Sequence, residues 1–259
     1  MVPTDSSDAA WAGTTTHTAG AQQTALTLLL IRHGETASNA EGRIQGHQDV
    51  PLSPVGRAQA ARLAVRLSQV WDGWGGFPAF PVPPPSAIFT SDLSRAAETA
   101  QILRGQLTAL SRVPYFETPL LRERGFGEWE GLNSAEIQER FPGVDHPPGG
   151  ETWTEVEDRT GQAFAFIQEN LPPSNRETRQ PAVSIMVVGH GGSLRLFLTR
   201  ALGLGPDFVH FFRLGNTSLS AVTFGGQGGG PNGQTQDKDR IVLLNDAAHL
   251  EKMPSSLRG

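Results

Sequence analysis

The sequence predicts an α/β fold, a doubly wound sandwich on a mostly parallel central sheet, and two observations carry that prediction. Leu28-Leu29-Leu30-Ile31 is an unbroken aliphatic run, the pattern of a strand covered on both faces, which is the habit of parallel sheets. It ends in Arg32-His33-Gly34, and the second half of the chain repeats the design as Ile185-Met186-Val187-Val188-Gly189-His190-Gly191-Gly192. Strands and helices alternate between and beyond these runs, as a layered α/β domain requires. Ligands bind such sheets at the carboxyl ends of the strands. One histidine there is as readily structural as functional. Two built alike, one beside an arginine, favour an anion site with a nucleophile.

In chain order, residues 1–26 are polar and rich in Thr, Ala and Ser, which suits a loose tail better than a secretory signal. Glu35 to Asp49 reads as a polar, irregular loop. Ser53 as N-cap and Pro54 at the first helical position then start a helix. Along it Ala60, Leu63, Leu67 and Trp71 recur at helical spacing, with Arg57, Arg62 and Arg66 as a solvated flank. Residues 72–85 are rich in Gly and Pro and read as an irregular surface excursion. Ser86 to Ser91 is a short strand, and it runs into a helix marked by Ala96, Ala100, Leu103, Leu107 and Leu110. Arg95 falls in the first turn of that helix, beside free backbone N–H groups and the positive end of the helix dipole. A cation is out of place there unless an anion is to be held.

Leu121 to Gly131 mixes glycines and aromatics with alternating charges, and reads as an ordered loop on the rim of a pocket. Pro147 to Thr152 is a second such loop, with Thr152 placed to cap a helix carrying Val156, Phe164 and Ile167. Pro172 to Gln180 is a polar loop. Pro181 to Val188 is the strand that delivers His190, and Ser193 to Leu204 is helical. Ser218 to Phe224 and Ile241 to Leu244 are the last strands. The Gly/Gln/Asp segment between them, Gly225 to Asp239, is expected to be mobile.

Composition bounds the function. A chain of 259 residues is ample for a sizeable core. A net charge of -5 gives no global attraction to nucleic acid or to an anionic membrane. With no cysteine there is no disulfide, no thiolate metal site and no cysteine nucleophile. The apolar runs fall short of a membrane span, and a cytoplasmic enzyme is the expectation.

Arg32-His33-Gly34-Glu35-Thr36, with Asn39 six residues after the histidine, resembles the signature of the histidine phosphatase superfamily, which includes the cofactor-dependent phosphoglycerate mutases. The likeness continues in order through Gln45-Gly46, Asp49-Pro51-Leu52-Ser53, Thr90 to Ala96, Glu123 in its Gly-x-Trp-Glu-Gly loop, Gly149-Gly150-Glu151, Val188 to Gly191 and Asn245 to Leu250. An Arg-His-Gly triplet alone would be weak; this many ordered blocks are not. The resemblance implies a three-layer α/β/α sandwich of the phosphoglycerate mutase type. One domain would span 27–250, with 251–259 as a C-terminal tail.

The resemblance also implies roles. His33 is the nucleophile that forms a phosphohistidine, and His190 supports the phosphoryl group in transfer. Arg32 and Arg95 offer forked donors to a phosphomonoester dianion, and their charge favours the neutral, attacking imidazole. Glu123 gives a proton to the leaving oxygen and then activates water. Asn39, Gln45, Gly46 and Gly191 contact the substrate, Gly191 through an N–H with no side chain in the way. The arginines and histidines take the part that Mg²⁺ plays elsewhere in phosphoryl transfer, so no metal and no cofactor are expected. The implied partner is a small phosphorylated metabolite, met by a monomer or homodimer.

Within the family the residues favour a phosphatase. Mutases usually follow the acid with Arg-His-Tyr-Gly and carry a paired-arginine insertion; here Glu123 precedes Arg124-Gly125-Phe126-Gly127, and Leu132 to Pro147 holds only Arg140. Gln45 stands where mutases have threonine. The alternative is a mutase, which alone would need 2,3-bisphosphoglycerate. A non-catalytic phospho-ligand-binding module on the same fold is the alternative of another class, and it would lack one of Arg32, His33, Arg95, Glu123 or His190. Among the other polar residues, His17 is idle in the tail. His47 and His146 sit in loops near the pocket, and His210 and His249 are structural. Glu35 and Glu151 organise loops. A zinc site from His33, His190 and Glu123 lacks ligand spacing.

Overall fold

The computed structural model describes residues 25–71, 82–171, 182–225 and 239–251. Six strands, β1 (Ala25–Arg32), β2 (Ile88–Ser91), β3 (Tyr115–Thr118), β4 (Ala182–Gly189), β5 (Leu219–Phe224) and β6 (Arg240–Asp246), form one sheet in the order β3-β2-β4-β1-β5-β6. The first four in that order run parallel, β5 lies antiparallel to β1, and β6 antiparallel to β5. Only β5 is reversed, so the mostly parallel sheet expected from the sequence is found. β1 and β4 are neighbours, with Arg32 opposite Gly189. The echo in the sequence therefore has a structural cause: both histidines leave adjacent parallel strands at the same level.

Alternation along the strands splits the aliphatic residues between two cores. Leu28, Leu30, Phe89, Ile185 and Val187 face α5 (Trp153–Glu169) and α6 (Gly191–Ala201), packing on Ile167, Leu194 and Phe197. Leu29, Ile31, Ile88, Met186 and Val188 face α2 (Pro54–Trp71) and α3 (Ser94–Gln106), packing on Leu63, Leu67 and Leu103. Both faces are covered, which is why the strands read as unbroken apolar runs. Each fully buried side chain of this size contributes roughly 1.5–3 kcal/mol.

Local expectations meet mixed results. Ser53 Oγ accepts from the Gly56 N–H (3.0 Å), as an N-cap should, and also donates to Glu35 Oε1 (2.8 Å). Thr152 caps α5 in a reciprocal box with Glu155. The flank of α2 is solvated as expected at Arg57 and Arg62, both exposed, while Arg66 is half-buried. Arg57 pairs with Glu98 on α3, and Arg66 with Asp246 at the end of β6. The helix placed at 193–204 begins at Gly191 and ends at Ala201, its start disguised by two glycines. α3 stops at Gln106, although Leu107 and Leu110 stay buried in the same core.

Three elements carry no strong sequence signal: α1 (Ala37–Ala40), the half-exposed edge strand β3, and α4 (Ser134–Arg140), which has no buried residue. Among the described residues, no helix is long and apolar enough to cross a membrane. The tail up to residue 24, residues 72–81, 172–181 and 226–238, and the segment from 252 onward lie outside the described residues.

One glycine fixes how α2 meets the sheet. A Cβ on Gly34 would overlap the backbone carbonyl of Gly56. The third residue of the Arg-His-Gly triplet thus lets the exit of β1 touch the first turn of α2 backbone to backbone.

Candidate active site

β1 and β4 end side by side, and their histidines meet there with ring centroids 5.1 Å apart. Both imidazoles are buried. Of the residues expected at the site, Arg32, His33, Arg95 and Glu123 line one cavity of about 170 Å³ together with Asn39, Gln45 and Gly46. His190 adjoins His33 and is the N-cap of α6, and Gly191 is that helix's first residue.

Hydrogen bonds define which nitrogen does what. His33 Nδ1 lies 2.7 Å from the Gly34 carbonyl, which can only accept. Nδ1 therefore carries the proton, and Nε2 of the neutral ring keeps the lone pair. His190 has the opposite arrangement. Its Nδ1 accepts from Arg95 Nε at 3.2 Å, so its proton sits on Nε2, a buried atom with no partner among the described residues. Arg32 donates through one terminal nitrogen to the Leu214 carbonyl (2.6 Å), while its buried Nε is likewise without a partner. A buried, unpaired donor costs about 1–3 kcal/mol. Two of them beside one cavity describe a site built for an anion's oxygens.

Burial, then the charges of Arg32 and Arg95, hold His33 well below the usual imidazole range. Burial, Arg95 and His33 do the same to His190. Both rings are therefore neutral at pH 7. Burial, against Glu123 and Asp49, brings Arg95 down to about 10, which leaves it a cation.

The neutral histidines make stability pH-dependent. Each depressed imidazole, with His249 at about 4, binds protons in the unfolded chain before it does in the native one. Stability is thus whole above about pH 6.5 and falls as pH drops toward the folded values, by up to about 1.4 kcal/mol per group and pH unit. His47, raised by its hydrogen bond to Glu151, opposes this in part. Urea unfolding at pH 7.5 and pH 5.5 is expected to show a lower midpoint at 5.5. An unchanged or higher midpoint would contradict the neutral pair.

Arg95 departs from the expected free fork. Its three nitrogens donate to His190 Nδ1, the Gln48 carbonyl (2.7 Å) and the Gly46 carbonyl (2.8 Å), so two of the five N–H groups of a guanidinium remain. It ties the 46–48 loop to His190. Asn39 Oδ1 accepts from Thr36 N–H and Asn216 Nδ2, and Gln45 Oε1 accepts from Thr36 Oγ1. The NH₂ groups of both amides are what they have left to offer. Glu123 Oε1 accepts from the backbone N–H groups of Gly192 and Arg124, each at 2.9 Å, which places the carboxylate at the positive end of α6. A Cβ on Gly192 would overlap that oxygen, whereas one on Gly191 would make ordinary contact with Arg32 Nε at 3.7 Å. Gly192, not Gly191, is the position where a side chain would be in the way.

Arg43, Ile44 and Phe126 also line the cavity; Phe126 belongs to the rim loop expected over Leu121 to Gly131, while Arg43 and Ile44 were not singled out in the sequence. Ile44 carries no chemical signal, and Arg43 is one charge within the polar loop of Glu35 to Asp49. Asn216 was missed as well; it donates to both the His33 carbonyl and Asn39. So was Arg159, which with His47 holds the Glu123 carbonyl, at 3.1 and 2.8 Å.

Both of these converge on Glu151. Burial pushes its carboxyl up, but hydrogen bonds from His47, Arg159 and Gly125 N–H outweigh that and hold it at about 2. Glu151 is thus the loop organiser expected, and so is Glu35 through Ser53. His47 and His146 are not lining residues of the cavity; His146 faces Arg124 at 3.4 Å. His249 bonds Thr217 and His210 packs on Trp153, both structural contacts as expected.

The chain has relatives among known proteins. A family model described as histidine phosphatase superfamily (branch 1) matches residues 28–233. Phosphoglycerate mutase-like protein 4 of Arabidopsis thaliana is 32% identical over 237 residues, 87% of each chain. The metal-independent phosphoserine phosphatase of the same plant is 32% identical over 247 residues, 90% of this chain and 86% of that one. Among solved structures, a mycobacterial glucosyl-3-phosphoglycerate phosphatase superposes with a TM-score of 0.64 at 26% identity, covering 87% of this chain and 99% of its own.

Proposed function

Because the chain belongs to the histidine phosphatase superfamily, we propose that it hydrolyses small phosphomonoesters through a phosphohistidine on His33, without a metal ion. The observation that carries the reading is the complementary pair of tautomers, a lone pair on His33 Nε2 beside an unpaired, buried proton on His190 Nε2. The phosphoryl oxygens accept from His190 Nε2–H, from Arg32 Nε, from the amides of Asn39 and Gln45, and from the N–H groups that Arg95 keeps. His33 Nε2 attacks phosphorus and the P–O bond to the alcohol breaks, its oxygen taking a proton from Glu123. Water then gives that proton back to Glu123 as it attacks the phosphohistidine, the P–N bond breaks, and His33 is restored. Two fixed arginines supply the charge that a cation would otherwise bring.

The residue after Glu123 favours hydrolysis over isomerisation. Arg124 does not reach into the cavity; it donates to the Glu151 carbonyl and stacks between Phe126 and Trp153. Phosphate release from phenyl phosphate and a panel of phosphorylated metabolites, with and without EDTA, tests the reading. Release that EDTA does not diminish is expected. Interconversion of 3- and 2-phosphoglycerate in the presence of 2,3-bisphosphoglycerate, with negligible phosphate release, would replace this function with that of a mutase.

A further inference from the structure

The turn 214–217 holds the site from behind. The Leu214 carbonyl accepts from the Arg32 guanidinium (2.6 Å). The Thr217 N–H donates to the carbonyls of Arg32 (3.0 Å) and His33 (3.3 Å). Asn216 Nδ2 donates to the His33 carbonyl (3.0 Å) and to Asn39 Oδ1 (3.2 Å). At the other end of the His33–Gly34 peptide, the Gly34 N–H donates to Thr99 Oγ1 (3.1 Å). One short turn thus bears on Arg32, His33 and Asn39 at once.

That turn is strained and buried. Thr217 has a φ of 53°, and among the described residues it and Asn245 (φ 49°) are the two non-glycines in the left-handed region. Asparagine tolerates that region, whereas a β-branched residue stays there only when its surroundings hold it. The C-terminal segment does so at two points. Asn245 Oδ1 accepts from the Gly215 N–H (2.8 Å). His249, in the 3₁₀ turn Ala248–Leu250, has its Nε2 2.9 Å from Thr217 Oγ1. The hydroxyl has a single proton, which goes to the Asn216 carbonyl at 2.8 Å, a group that can only accept. His249 Nε2 is therefore the donor, and its buried Nδ1 has no partner among the described residues. Asp246 roots the segment on α2 through Arg66.

We infer that Asn245 and His249 are positioning residues for phosphoryl transfer, which clasp the 214–217 turn and through it fix Arg32, His33 and Asn39 in reactive geometry. The inference rests on the phosphatase reading and deepens it, since it extends the machinery to residues outside the cavity lining. Alignment at the reacting atoms is sensitive: a displacement of about 1 Å caused by a remote change lowers the rate by up to about 10². A turn released from its left-handed bend carries the His33 carbonyl and Asn39 with it.

The test reads kcat/KM for phenyl phosphate in the full-length enzyme, beside urea unfolding of each variant. His249→Ala is expected to lower kcat/KM by about tenfold or more. Two further substitutions separate positioning from packing. The glutamine amide reaches the Nε2 position and donates to Thr217, so His249→Gln is expected to stay close to the parent enzyme. The shorter asparagine amide reaches only the Nδ1 position, where there is no partner, so His249→Asn is expected to fall with alanine. Thr217→Val removes the hydroxyl and keeps the shape. It is expected to lower kcat/KM as His249→Ala does, and the two losses are expected not to multiply in the double variant. Should His249→Ala fail to fold, Thr217→Val and the contrast of glutamine with asparagine decide.

Parental kcat/KM in His249→Ala or Thr217→Val, a glutamine variant as slow as the asparagine one, or losses that multiply overturn the inference and leave the phosphatase reading standing. Absence of phosphate release by the unaltered enzyme overturns that reading, and the inference with it.

Discussion

His33→Ala is expected to lower phosphate release by about four orders of magnitude or more, the scale of losing a covalent nucleophile. No neighbour can replace it. The adjoining imidazole, His190, has its Nδ1 held by Arg95 while its Nε2 carries the proton. The same variant keeps Arg32, Arg95 and His190, so inorganic phosphate still binds; isothermal titration beside the kinetic assay separates lost chemistry from a lost site. Activity within tenfold of the parent enzyme would mean that another group attacks phosphorus.

Arg95→Lys carries the second largest expected effect, although it preserves charge. One ammonium on a flexible stem cannot reach His190 Nδ1 and the carbonyls of Gly46 and Gln48 together. Two loop carbonyls lose their donor, and His190 loses the contact that fixes its proton on Nε2. A fall in kcat/KM of about 10²–10³ follows from misplacing one transition-state donor. A loss of about 2–4 kcal/mol of stability follows from leaving buried acceptors unpaired. Steady-state kinetics and urea unfolding read the two. If lysine retains both, Arg95 acts as a point charge and the tautomer argument for His190 fails.

Much of this was legible in the sequence because the physics is local. Four aliphatic residues ending in Arg32-His33 and their echo at 185–190 read as strands buried on both faces, and parallel pairing of β1 with β4 brings the histidines together. Ser53 and Thr152 announced their helices by capping chemistry, as the structure bears out. The features that stayed hidden depend on non-local partners. Nothing near Arg66 in the chain foretells Asp246, 180 residues away. Gly191-Gly192 reads as loop, because glycine is a poor helix former. It opens α6 nonetheless, since Glu123 must approach the Gly192 backbone too closely for any side chain. Arg43 lies unmarked in the polar loop of Glu35 to Asp49, and only the fold shows it lining the cavity while paired with Glu41 and Glu136.

The central claim is a covalent bond between phosphorus and one nitrogen, and rapid quenching during turnover tests it most directly. Mixing the enzyme with ³²P-labelled phenyl phosphate, stopping in alkali, and mapping the labelled peptide should place an acid-labile phosphoryl group on Nε2 of His33. Label on His190, on Nδ1 of His33, or on no residue while phosphate is being released would contradict the account.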